Sequence, residues 1–205
     1  METMRMFPLG HPLIPFTLVS LRIFEPRYLQ MIDECLEEAK PFGVALIERG
    51  FEVGGGDIRA NIGTVAQIVE AAGLPGGEKA VVAVGVQRLE IVEWLPDDPY
   101  PRALVERHEE VASPGAAHRI GSIDGQLRVV LSLLSEAGVD VGPLDYELSD
   151  RPEVAAHQMC GLAPVGAFDG QRLLAADSTD ERLDLLVEML DEQGELLKAQ
   201  LGGAQ

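Results

Sequence analysis

A glutamate, an arginine and a tyrosine stand almost side by side in the run Phe24-Glu25-Pro26-Arg27-Tyr28. Such a grouping could supply an acid, a charge clamp and a phenolic donor. That chemistry needs a nucleophile or a general base within reach, and no histidine or nucleophile lies near in sequence. Pro26 offers a structural account. Proline is favoured at the first helical position, where its missing N–H would have no partner anyway. Glu25 then becomes the cap, with its carboxylate accepting from free backbone amides. Leu29, Ile32, Cys35 and Leu36 follow at helical spacing as the apolar face. The sequence therefore predicts a strand-to-helix corner, with Phe24 ending the strand.

Other chemical candidates fail on spacing. His11, His108, His118 and His157 form no H-x-x-x-H or H-E-x-x-H pair and read as surface or capping residues. The glycine-rich stretch Gly50–Ile58 lies between two strand-like runs. A phosphate cradle needs a helix behind it, so this is a hairpin loop. Gly121–Gly125 is not G-x-S-x-G, and Ser122 stands at a helix start rather than at a strand-to-helix elbow. The acidic stretches fit solvated helix faces and contain no D-x-D-x-D-G loop. Cys35 and Cys160 are far apart, in apolar helical surroundings, and read as buried small hydrophobes. We expect no cofactor, no metal and no enzyme active site.

Composition narrows the class. The chain has 205 residues, 46% of them hydrophobic and only 5% aromatic, so its core must be built mainly of Leu, Val, Ile and Ala. The net charge is −18; residues 1–107 carry 16 acidic and 10 basic side chains, and the rest carry 18 and 6. Such a chain repels phosphate backbones, which argues against nucleic acid as a partner. The N-terminus lacks a basic region followed by a long apolar stretch, and the longest apolar run, near Ala80–Val86, is far short of a membrane span. A cytoplasmic protein that does not enter membranes is expected.

The elements that position these residues follow from a change of period. From Met4 to about Glu109 the chain reads as short strands: Met4–Leu9, Leu13–Phe24, Phe42–Ile47, Asn61–Ala71, Lys79–Leu95 with a bend at Gly85, and Tyr100–Glu110. Leu74–Gly77 is a turn. Beyond the polar stretch Val111–Ala117 the period becomes helical. Ile120, Ile123, Leu127, Val130, Leu131 and Leu134 share one face, and Gly138 ends that helix. Shorter helices follow at Pro152–Leu162 and Pro164–Ala175. The last opens on the capping box Ser178-x-x-Glu181 and carries the stripe Leu183, Leu186, Val187, Leu190, Leu197, Leu201. We expect an α+β chain of two subdomains, a β-rich one at 1–110 carrying one helix and a four-helix one at 111–205.

The order of these segments, from "FPL" and "LRIFEPRYLQMIDECL" through "FGVALI", "IGTVAQIVEA" and "VVAVGVQRLEIVE" to "RLLAADSTDERLDLLVEMLDEQGELL", resembles the N-terminal substrate-binding domain of Lon protease. It is most similar to stand-alone bacterial proteins made of that domain. The resemblance covers roughly residues 4–200. It implies a PUA-like β pseudo-barrel followed by an α-helical bundle, and a role in recognising protein substrates. In full-length Lon an ATPase and a Ser-Lys protease follow. Here there is no G-x-x-x-x-G-K-[ST], and the chain's length leaves no room for a protease domain, so we do not carry over proteolysis.

The function expected is thus a non-enzymatic protein- or peptide-binding module, acting as a monomer or weak dimer. Its partners would be unfolded segments, or a separate protease or chaperone. RNA binding, common among PUA-like folds, is the alternative, and the charge opposes it. For the contact surface the sequence suggests a rim made by Trp94 and Tyr100 with the loop residues Leu74, Pro75, Gly54, Gly55 and Gly56.

Overall fold

Alternating side chains build the first part of the chain around a ring of strands. The computed structural model describes residues 1–49, 58–110 and 112–202. Its elements run β1 (Glu2–Leu9), β2 (Leu18–Ile23), α1 (Pro26–Glu38), β3 (Phe42–Arg49), β4 (Ile58–Gly73), β5 (Lys79–Leu95) and β6 (Arg102–Arg107). Then follow α2 (Ala116–Glu136), α3 (Pro152–Leu162), α4 (Ala167–Ala175) and α5 (Thr179–Gly202). The chain divides into two compact units, Met1–Glu109 and Glu110–Gln205.

In the first unit the sheet order is β2-β5-β4-β3-β1-β6, and a further pairing of β5 with β6 closes a five-stranded ring. Among the described residues only β1 and β3 run parallel; the other pairs are antiparallel. Every ring strand contributes to one core: Met4 and Met6 from β1, Ala45 from β3, Val65 from β4, Leu89 and Ile91 from β5, Ala103 and Val105 from β6. Residues facing the other way form a second core with α1: Phe7 and Leu9 of β1, Phe42 and Val44 of β3, and Val81 and Ala83 of β5, which precede a register skip at Val86. A two-sided core is why β3, buried from Phe42 to Ile47, reads as a continuous apolar run.

Helix α1 starts at Pro26 as the sequence predicts, but its buried face is rotated. Tyr28, Met31, Ile32 and Cys35 point inward, whereas Leu29 is half-buried and Leu36 exposed. The cause is the Phe7 ring, which packs against Tyr28 at 4.5 Å and draws the i, i+3, i+4, i+7 set beginning at residue 28 onto the sheet. The helix ends with Ala39 in the left-handed region at φ 52°, and the Lys40 N–H returns to the Cys35 carbonyl at 3.0 Å.

The segment expected as one long strand from Leu13 is irregular up to Thr17. It crosses β5 at Gly85, where the Phe16 N–H reaches the Gly85 carbonyl (2.7 Å) and the Gly85 N–H reaches the Thr17 carbonyl (2.9 Å). A Cβ on Gly85 would stand 2.7 Å from the Ile14 carbonyl oxygen, so the close approach requires glycine. Opposite Val65 and Ala66 the register skips Val86, a bulge beside that crossing.

In the second unit α2 packs on α3 and α5, and α3 and α4 complete the group. Gly138 at φ 84° ends α2 with paired bonds, its own N–H to Ser135 and the Val139 N–H to Leu134, both at 3.0 Å. At the start of α5, Ser178 Oγ accepts from the Glu181 N–H (3.2 Å) and the Glu181 carboxylate accepts from the Asp177 N–H (2.8 Å).

Candidate functional site

Two strands share one edge of β5. β2 occupies Lys79–Val84 and β6 occupies the span from Leu89 to Leu95. β6 also covers the edge of β1 from Glu2 to Arg5, with a last bond from the Met6 N–H to the Pro101 carbonyl at 2.8 Å. Beyond that point β1 continues along β3 as far as Leu9, and β2 pairs only with β5 among the described residues. Among the described residues, β6 therefore closes the ring, while β2 and the end of β1 face a common gap.

That gap is a cleft of about 230 Å³, lined by Phe7–Leu9, His11, Ser20–Glu25 and Tyr28. β2 alternates strictly: Val19, Leu21 and Ile23 are buried, while Leu18, Ser20 and Arg22 are exposed. Leu18 is 67% exposed, and Phe24, which continues the same outward row, is 53% exposed. Two large apolar side chains thus flank an edge strand on its solvent side. The alternation was legible in the sequence; the missing signal was that this strand lies at an edge.

The Glu-Pro-Arg-Tyr corner forms one end of this cleft. Pro26 does open α1, and the Glu25 carbonyl accepts from the Tyr28 and Leu29 N–H groups at 3.0 Å each. The Glu25 side chain makes no capping bond, contrary to expectation. Its carboxylate pairs instead with Arg27 at 3.0 Å, and the Arg27 guanidinium lies 4.6 Å from the centre of the Tyr28 ring. The opposite charge two residues on outcompetes neutral backbone amides for the carboxylate.

Residues suggested as the contact rim are dispersed. Tyr100 is buried in the core shared with α1; its hydroxyl donates to Glu34 and accepts from Arg5 Nε at 3.1 Å. Burial and the bond to Glu34 raise the Tyr100 pKa, and the same bond, with one from Gln30, lowers that of Glu34. Trp94 packs against the ring core, and Arg59, paired with Asp97 at 3.2 Å, sits 4.6 Å from the centre of its ring. The two aromatics thus belong to different cores and do not form a surface pair. Leu74 is half-buried and Pro75 exposed in the β4–β5 turn, where the Leu74 N–H bonds the Glu78 carbonyl at 2.7 Å. Gly54, Gly55 and Gly56 lie outside the described residues. Among the described residues no group of three or more His, Cys, Asp or Glu side chains could hold a metal ion. No described helix is long and apolar enough to cross a membrane.

A family model for the ATP-dependent protease La (LON) substrate-binding domain matches residues 3–192. The chain belongs to the Lon substrate-binding domain family. It is 26% identical over 202 residues to a Lon protease of Syntrophomonas wolfei, covering 94% of this chain and 24% of that protein. It is 25% identical over 228 residues to a LON peptidase N-terminal domain and RING finger protein of Schizosaccharomyces pombe, covering 96% and 46%. The chain therefore spans about a quarter of the first of these relatives and somewhat under half of the second. In fold it resembles a Lon N-terminal domain protein from Xanthomonas campestris (TM-score 0.67, 23% identity, 92% of this chain and 98% of that one). It also resembles the N-terminal domain of a Mycobacterium avium complex Lon protease (TM-score 0.66, 16% identity, 93% and 98%).

The helical unit of this Lon-type domain holds a buried polar group that sequence reasoning missed. Glu110 accepts from His157 Nε2 (2.7 Å), Thr179 Oγ1 (2.9 Å) and Arg182 Nη1. Arg182 is fully buried and also donates to the Leu173 (2.8 Å) and Ala176 (3.0 Å) carbonyls. Burial pushes the Glu110 carboxyl up, but the bond from His157 and the charge of Arg182 outweigh it and hold it down at about 2. His157 is thus a core residue, not a surface one as expected. A signal for Arg182 existed: it lies on the buried stripe of α5 with Thr179, Leu183, Leu186 and Leu190. These contacts also place Glu110 with the helices, before the Val111–Ala117 stretch where the sequence suggests the division.

Proposed function

We propose that this chain is a non-enzymatic binding module that holds unfolded or extended apolar segments of other proteins. The observation that carries this is the open cleft along β2, flanked by exposed Leu18 and Phe24. Membership of a substrate-binding family and the Lon protease relatives support the same reading. The partner that would use such captured segments is a separate protease or chaperone. We place the contact at β2 and the Phe24–Tyr28 corner, not at Trp94 and Tyr100, whose side chains are committed to packing and to Arg59, Arg5 and Glu34. The free thiols of Cys35 and Cys160 support a reducing, cytoplasmic setting. RNA is the poorer fit for a chain of net charge −18.

The test is a double variant, Leu18→Ser with Phe24→Ser. Both side chains are mostly exposed, so thermal stability should hold. Affinity for a reduced, carboxymethylated model protein should fall by roughly tenfold or more. Unchanged affinity, or tight binding of single-stranded RNA at physiological salt, would overturn the proposal.

A further inference from the structure

We propose that capture occurs by strand addition: an extended, neutral or basic segment of another polypeptide, alternating apolar and polar residues, pairs its backbone with the open edge of β2. This rests on the reading of the cleft given above and specifies how the cleft is filled.

The walls of the cleft are made of consecutive residues, Phe7–Leu9 on one side and Ser20–Glu25 on the other. A groove on the face of a sheet would be lined by alternate residues, because successive side chains point to opposite faces. Consecutive lining means that backbone edges form the walls, and a backbone edge is filled by another strand. The two edges are not equivalent. That of β1 carries Pro8, which has no N–H to donate. β2 has no proline, and its register opposite β5 runs without a break from Leu18 to Ile23. Its one charge, Arg22, is engaged by Glu78 at 2.6 Å. Edges that avoid pairing are usually guarded by proline, bulges or free charges, and β2 has none of these.

Two features choose the occupant. The buried row Val19, Leu21, Ile23 offers apolar neighbours to alternate side chains of a guest. The net charge of −18 opposes a second copy of this chain on the same edge and favours a neutral or basic guest. Six residues of edge span about 20 Å, the reach of a short peptide.

The experiment uses the full chain and a ten-residue peptide in which valine alternates with threonine and lysine. Two further versions carry N-methyl groups on alternate residues, so that each blocks the donors of one peptide edge and leaves the protein untouched. Strand addition requires that one methylated version lose affinity by roughly tenfold or more and that the other bind like the parent. Equal binding of all three, still lost in the Leu18→Ser, Phe24→Ser variant, overturns strand addition and leaves the apolar cleft standing. Failure of the parent peptide to bind overturns both. A stable dimer in sedimentation, dispersed by Ser20→Pro in a variant that keeps its circular dichroism, would overturn the choice of occupant.

Discussion

Replacing Glu110 by glutamine would remove one charge and little volume from the cluster of Glu110, His157, Thr179 and Arg182 in the helical unit. Arg182, fully buried, would keep the Leu173 and Ala176 carbonyls and lose its counter-charge. Breaking one partner of a buried pair costs about 3–5 kcal/mol. Titration gives a similar size. The Glu110 carboxyl sits at about 2 against an ordinary 4.5, a difference of roughly 3 kcal/mol. The folded form holds this proton less tightly than the unfolded one. The contribution is therefore complete above the ordinary value and is lost as pH falls from about 4.5 to about 2. Arg182, His157 and Thr179 contact the carboxylate, and the charge of Glu153 also lies within its influence. Urea unfolding followed by helical circular dichroism at pH 7 should show a loss of about 3 kcal/mol for Glu110→Gln, with a flatter decline than wild type between pH 5 and pH 3. An unchanged urea midpoint at pH 7, or equal acid slopes, would refute the reasoning.

Other expectations are smaller. Ala39→Gly should stabilise the domain by about 0.5–1 kcal/mol, because Ala39 holds φ 52° at the end of α1; a lower melting temperature would contradict this. Glu25→Ala should cost at most about 1 kcal/mol, the worth of a partly exposed ion pair, since no capping bond is lost; a larger loss in urea titration would restore the capping role. Burial pushes the Cys160 thiol up to about 12, so native protein at pH 8 should resist iodoacetamide at Cys160 and react after unfolding. Rapid native alkylation of Cys160, read by mass spectrometry, would contradict the buried placement.

Most of the fold was legible because it rests on local signals. Pro26 marked the start of α1, Gly138 the end of α2, and Ser178 with Glu181 the start of α5. The change of period separated strands from helices. What escaped depends on pairing between distant residues. The rotation of α1 follows from Phe7, 21 residues before Tyr28. The commitment of Tyr100 to Glu34 and Arg5, and of Glu110 to His157 and Arg182, joins segments that no spacing rule connects. The cleft escaped for the same reason. That β2 is an edge is decided by β6, which leaves β1 after Arg5 and takes the far half of β5. The sequence supplies the strands without saying which edge stays open.

The central claim is that the open side of the barrel is the binding surface. Backbone amide resonances recorded while a reduced, carboxymethylated model protein is titrated into the full chain test it most directly. The account expects the largest shifts at Phe7–Leu9 and from Leu18 to Tyr28, around the cleft. Shifts confined to α2–α5, or centred on Leu74 and Trp94 with β2 unmoved, would contradict it.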